Sequence, residues 1–356
     1  MSSAPHPQLY FADGDIILSA ALDATGVQQN FRVHKFMLSH NSTVFSDILS
    51  IPLTGSDADP IVDGVPLMAL QDDAADLECL LNMLYNPATA LPYERLHSNT
   101  AVQVMGALRM ARKYQIDTVF DRIVKHIERD WPTTLDQLTL LDLEMTFWRD
   151  RYVIDAKEGK INGLYFDDRF PEPGSAIRLA KDFGITSILP YAFLCLAQID
   201  PAMEWDAVRG THGPVDEKLR QKLMNRGRSA RWDLLDREDL RCLLIGMRQL
   251  RDQSSTLLVN LYGKIPIIEC ANHRDGPSRT CREDLRLAMQ QRFESGVGGQ
   301  PSFINSHPLQ LLDLVEKHVG DCKMCQVCKQ AARLAVHRSR AKTWEKLSSA
   351  FMLKQE

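Results

Sequence analysis

Apolar and polar positions change period several times along the chain. From Gly14 to Leu22 they alternate loosely, the turn cluster "DATG" follows, and "VQQNFRV" reads as a second strand. Together these predict a hairpin. Beyond Val33 the spacing becomes helical. Val33, Phe36, Met37 and Leu38 form one apolar group, and Val44, Phe45, Ile48 and Leu49 form the next. Ser42 stands between them, where its hydroxyl can accept from the free amides of a second short helix. Pro52 closes this stretch, and "DGVPLMALQD" predicts a third strand. "DAADLECLLNMLYNP" is an amphipathic helix with acidic residues in its first turn, where the helix dipole favours them, and Pro87 just beyond its end. Two more helices follow, with inward stripes of Val104, Leu108 and Ala111 and of Val119, Ile123 and Ile127. A small strand set with helices on one side is an α+β domain.

That domain spans residues 8–130. Residues 131–261 read as helical throughout, with "SAIRLAKDFGITSILPYAFLCLAQID" as a helix pair joined at Gly184 and "DREDLRCLLIGMRQLRDQSSTLLVNLY" as a further helical run. Residues 262–356 form a third, Cys-containing helical region. It contains the loop "SGVGGQPSFINSHP" and a long basic helix with a break at Gly320, ending in "WEKLSSAFML", where Trp344 is the expected anchor. No fixed-period repeat is present.

Composition narrows the class. The chain has 356 residues, 44% hydrophobic and 25% charged, as in an ordinary globular protein. That length accommodates two or three domains with buried cores. The net charge of −4 and a pI near 6.2 count against a nucleic-acid binder. Charge is unevenly spread: nine acidic residues and no Lys or Arg lie between Phe36 and Glu94, whereas residues 321–356 hold eight Lys or Arg against three acidic residues. Both stretches read as solvated faces, and the acidic one also suits a basic partner. The N-terminus "MSSAPHPQLYFADGD" lacks the charged and apolar regions of a signal peptide, and no apolar run reaches membrane-helix length. The expected location is cytoplasmic or nuclear, with reduced thiols.

Four separated segments carry a family likeness. "DGDIIL", "FRVHKFMLSHNSTVFSDIL", "LYNP" and "ALRMARKYQIDTV" resemble, in order and spacing, the BTB (POZ) domain over about Phe11–Arg129. The whole chain is similar, more loosely, to the long BTB proteins of fungi, basidiomycetes above all. The resemblance implies a homodimerising interaction domain that recruits a protein partner. In some relatives this is a cullin scaffold of a ubiquitin ligase, and in others a transcriptional corepressor. It also implies that Asp15 and Lys35 form a charged pocket near the dimer interface, and that His34 is structural. Cullin-binding relatives often carry an apolar-x-Glu element after the "S-x-x-F" helix; here "SIPLTGSDADP" has no such Glu. The dimer surface is expected from the N-terminal strands and first helix, with Phe11, Ile16, Leu18, Phe36 and Met37 as its apolar residues.

Candidate chemistry is sparse. His34 and His40 titrate near neutrality, but acid–base catalysis needs a second positioned group. His34 ends a strand and starts a helix, where an imidazole can bond exposed backbone groups. The chain contains no H-E-x-x-H, G-x-S-x-G or P-loop sequence, and a non-enzymatic role is expected. "SGVGGQP" is Gly-rich but follows no strand, so it reads as a loop. Cys79, Cys195 and Cys242 sit in apolar helical stretches and read as core. Cys325 and Cys328 make a C-x2-C pair and Cys270 and Cys281 a wider one, with His273 and His318 as spare ligands. Two readings stand for these four cysteines: a structural zinc site, since zinc takes four N or S ligands tetrahedrally, or reduced thiols packed in a helical hairpin. Exposed Arg and Lys on the last helix form a solvated face or, in a nuclear transcription-associated protein, a nucleic-acid contact.

Overall fold

A computed structural model describes residues 3–353 apart from 23–25, 52–59, 91–94, 212, 267–269, 272–279, 296–306 and 322–323. Most of the "SIPLTGSDADP" segment, most of the Gly-rich loop, and His273 thus lie outside the described residues. The chain divides into two compact units, residues 1–131 with 160–185, and residues 132–159 with 186–356. Residues 160–185 therefore group with the first unit rather than with the helical region around them in sequence.

The first unit is built on a five-stranded sheet of order β1-β3-β2-β5-β4. Its strands are β1 (Ser3–Tyr10), β2 (Ile16–Ala21), β3 (Gln28–Val33), β4 (Ile61–Val62) and β5 (Val65–Asp73). β2 and β3 form the expected antiparallel pair, with Ile16 opposite Val33 and Leu18 opposite Phe31. β2 also pairs in parallel with β5. Ile16, Ile17, Leu18, Ser19 and Ala20 are all buried. A strand covered on both faces has no polar side, which is why its alternation in the sequence is loose. β1 pairs in parallel with β3; "SAPHPQLY", interrupted by two prolines, gave no strand signal.

The helices follow the apolar spacing closely. α1 (Lys35–Asn41) and α2 (Thr43–Ser50) separate at Ser42, whose side chain accepts from the Phe45 amide. α3 (Ala74–Tyr85) starts at Asp73, whose carboxylate accepts from the amides of Ala75 and Asp76. α4 (Thr100–Lys113) and α5 (Asp117–Asp130) bury all six predicted stripe residues. A two-stranded hairpin, β6 (Lys160–Ile161) and β7 (Leu164–Tyr165), interrupts the region expected to be helical. Asn162 and Gly163 turn it with φ of 52° and 81°, the turn for which Asn-Gly is the strongest short signal. α6 (Pro173–Phe183) packs on α4 and ends at Gly184 in the left-handed conformation, φ 73°.

The second unit is helical. α7 (Leu135–Asp155) opens with a capping box between Thr134 and Gln137. α8 (Leu189–Leu196), α9 (Trp205–Arg209), α10 (Glu217–Met224) and the 26-residue α11 (Arg237–Tyr262) follow. α12 (Cys281–Ser295), α13 (Pro308–Asp321), α14 (Gln326–Glu345) and α15 (Leu347–Ala350) complete it. The expected long basic helix is thus two helices, and Gly320 lies in the last turn of the first. α7 buries Leu138, Leu141 and Tyr152 yet leaves Leu140, Leu143, Phe147 and Ile154 exposed, so its apolar residues face both ways. The C-terminal anchor is Phe351, fully buried and stacked on Phe193 at 5.5 Å. Trp344 is half-buried, 6.2 Å from Tyr191.

Candidate functional site

The motif residues of the first unit converge at the start of α1. His34 ends the helix-leading strand in an extended conformation and donates its backbone amide to the Tyr85 hydroxyl oxygen at 2.9 Å. Its ring Nδ1 lies 3.1 Å from the same oxygen, and its Nε2 lies 3.4 Å from Asp13 Oδ1. The arrangement suits the tautomer with hydrogen on Nε2: the tyrosine hydroxyl donates to Nδ1 and Nε2 faces the carboxylate. Phe11 stacks on Tyr85 at 4.8 Å and leans on His34 at 5.6 Å. "DGD", "VHK" and "LYNP" are therefore one joint between the sheet, α1 and the end of α3. The imidazole does not cap α1, as its position suggested. That task falls to Asp15, whose Oδ1 accepts from the Lys35 amide at 2.7 Å, a carboxylate at a helix N-terminus. The Asp15–Lys35 contact runs through this backbone bond.

A second joint holds α2. Ser42 Oγ accepts from Phe45 N at 3.0 Å and donates to the Tyr114 carbonyl at 2.5 Å. The rings of Phe45 and Tyr114 stack at 4.2 Å. Tyr114 also donates its hydroxyl to the buried Asp72 carboxylate, which Lys113 Nζ contacts at 2.5 Å. Burial, then the bond to Asp72, pushes the Tyr114 hydroxyl well above its ordinary range. These polar groups are satisfied by structural partners and assemble no acid–base pair.

The expected dimer residues separate into two groups. Phe36 is 71% exposed and stacks on His40, at 5.4 Å. Phe11, Lys35 and Met37 are half-buried, and Asp15 is exposed. Ile16 and Leu18, at 2% and 0% exposure, belong instead to the sheet interior. β2 has a strand on each side, and both side chains are covered within the first unit. Ile48 and Ile51, at the end of α2, are further exposed apolar residues beside the polar Thr43, Ser46, Asp47 and Ser50 of the same outer face.

In the second unit, the Sγ atoms of Cys270, Cys281, Cys325 and Cys328 all lie within 4.8 Å of one another. All four are free thiols; three are fully buried and Cys325 is half-buried. Cys270, Cys281 and Cys328 belong to a buried cluster that includes Leu261, Leu285, Val315 and Ala332, from α11, α12, α13 and α14, and Cys325 packs against it. Cys281 is the first residue of α12, Cys325 caps α14 and Cys328 lies in its first turn. The Cys325 amide donates to Cys281 Sγ at 3.2 Å. Burial pushes the Cys281 thiol up to about 11 and also raises Cys328. For Cys325 burial acts in the same sense, but the amides of Cys328 and Ala271 bond its sulfur and bring it down to about 6. Such an array of four sulfurs can hold a metal ion. Cys242 is buried as expected, whereas Cys79 and Cys195 are half-buried. On the last long helix, Arg333 and Arg338 are exposed, but Arg340 is paired with Asp313.

No helix among the described residues is long and apolar enough to cross a membrane. Among curated proteins no match to the chain was found. The family model of the BTB/POZ domain matches residues 15–130, a span that starts at the carboxylate capping α1 and ends with α5. Residues 15–130 are a BTB/POZ domain, a module that binds other proteins rather than one that catalyses, and a mostly helical region follows it.

Proposed function

We propose that the chain is a non-enzymatic scaffold that homodimerises through its BTB domain and presents a partner with its helical region. The observation that supports this reading is the apolar surface around α1 and α2, where Phe36, Ile48 and Ile51 are exposed beside half-buried Met37. A phenylalanine 71% exposed in the first turn of α1 is a candidate anchor for a second copy. Light scattering at micromolar concentration is expected to give a dimer, and Phe36→Glu is expected to shift it toward monomer without changing the circular dichroism. A strict monomer in the unaltered chain removes the reading.

Within this class the leading specific role is an adaptor for a cullin-type ubiquitin ligase. A pull-down with a purified cullin N-terminal region tests it, and failure to bind moves the role elsewhere. A second reading, a nuclear transcription-associated protein with a metal-stabilised C-terminal module, is favoured by the four-sulfur array and by exposed Arg333 and Arg338. It requires DNA affinity that falls steeply with salt.

A further inference from the structure

We propose that Cys270, Cys281, Cys325 and Cys328 bind one zinc ion as four thiolates, and that this ion ties the start of α12 to the start of α14. The geometry is close to what the ion requires. With Zn–S bonds of about 2.3 Å, a tetrahedron places its sulfurs about 3.8 Å apart. The four sulfurs here already lie within 4.8 Å of each other, so modest side-chain rotation closes the shell. Sulfurs this close surround a single ion rather than a polynuclear cluster, and an all-thiolate tetrahedral set selects a soft ion over magnesium or calcium.

Geometry around the sulfurs supplies groups that can stabilise thiolates once a metal is bound. Three of the sulfurs sit at helix starts, Cys281 on α12 and Cys325 and Cys328 on α14, where partial positive charge and free amides meet. The Cys325 amide already points at Cys281 Sγ, the outer bond that orients and stabilises a metal-bound sulfur. As plain core, the same four residues would be buried S–H groups grouped against one another, with the Pro266 carbonyl as an outside acceptor for Cys328 at 3.7 Å. Binding is balanced in protons: four thiols release four protons as four Zn–S bonds form, with no change of oxidation state. The ligands come from segments more than forty residues apart, Cys281 and Cys325 being separated by 44 in sequence number. The ion therefore supplies a crosslink that neither a C-x2-C pair nor the neighbouring apolar cluster provides alone.

The test uses the full chain, without a polyhistidine tag, purified in the presence of zinc sulfate. Elemental analysis is expected to give about one zinc per chain. Replacement by cobalt is expected to produce the intense visible bands of tetrahedral thiolate coordination. Cys325→Ser and Cys281→Ser are each expected to lower metal content at least tenfold, whereas Cys242→Ser, outside the array, keeps it. Because a ligand variant can fail to fold, the unaltered chain supplies an independent readout. Chelation is expected to lower its thermal midpoint and expose four of its eight cysteines to alkylation, and zinc restores both. Zinc well below one per chain after incubation with excess zinc, or alkylation that ignores the metal, overturns the proposal. Stoichiometric iron in place of zinc overturns the choice of ion.

Discussion

Replacing Gly246 with alanine should damage the helical unit, against the ordinary helix preference. Gly246 lies in the middle of α11, where alanine is normally favoured by about 1 kcal/mol. Here a Cβ would stand 1.9 Å from Cδ1 and 2.2 Å from Cε1 of Phe351. Neither atom is the free end of a flexible chain: the ring is fully buried and stacked on Phe193. Accommodating the methyl means overpacking, at about 1–3 kcal/mol, or expelling the ring, whose complete loss costs about 3–5 kcal/mol. After the helix-preference gain, the net loss should fall between about 0 and 4 kcal/mol. The sign must reverse when the ring is gone. In a Phe351→Ala background, Gly246→Ala should stabilise by about 1 kcal/mol, so the double-mutant cycle shows a coupling of about 1 kcal/mol or more. Urea titration followed by tryptophan fluorescence reads this unit, since every tryptophan but Trp131 lies in it. If Gly246→Ala stabilises the unaltered chain as much as it does the Phe351→Ala chain, the close approach of ring and helix is refuted.

Other substitutions probe the remaining joints. Lys113→Met leaves the buried Asp72 carboxylate with the Tyr114 hydroxyl but no cation. It should cost about 2–4 kcal/mol in chemical denaturation, and Asp72→Asn should recover part of that loss in the double variant. Tyr85→Phe removes the oxygen that His34 contacts with both its amide and its ring. A loss of about 1–2 kcal/mol is expected, with β-sheet circular dichroism retained. Asp142 tests the pH response of the helical unit. Burial, then the nearby Asp313, raises its carboxyl to about 6, with Arg340 and Arg149 opposing. A raised folded pKa means that the ionised form destabilises: stability contributed by the proton is present at low pH and is lost as pH rises through about 6. Asp142→Asn should therefore raise the thermal midpoint at pH 7.5 and have much less effect near pH 4.5. An equal gain at both pH values would show that the carboxylate's charge is not the cause.

Much of the fold is legible in the chain because its signals are local. The stripes on α4 and α5 repeat at helical spacing, Ser42 stands where a cap is needed, and Gly184 is the residue that a left-handed helix end prefers. The Asn-Gly hairpin at 162–163 was equally readable, but its two-residue strands are too short to show alternation. β1 was hidden for a different reason. Its pairing with β3 is parallel and its sequence contains two prolines, so nothing near it announces a strand. The interface candidates show the same division. Ile16 and Phe36, equally apolar in sequence, ended as a core residue and an exposed one.

By itself the sequence determined the β2–β3 pair and the helices from α1 to α5, the BTB likeness and the presence of four cysteines with ligand-like spacing. Each of those depends on residues close in the chain or on fixed intervals between them. Tertiary structure decided which apolar residues stay exposed, that Asp15 rather than His34 caps α1, that Phe351 seats on Gly246, and that sulfurs from positions 270, 281, 325 and 328 meet. These outcomes depend on which surfaces pack together. Burial and mutual distance belong to the packed chain as a whole, and a one-dimensional pattern limits them without specifying them.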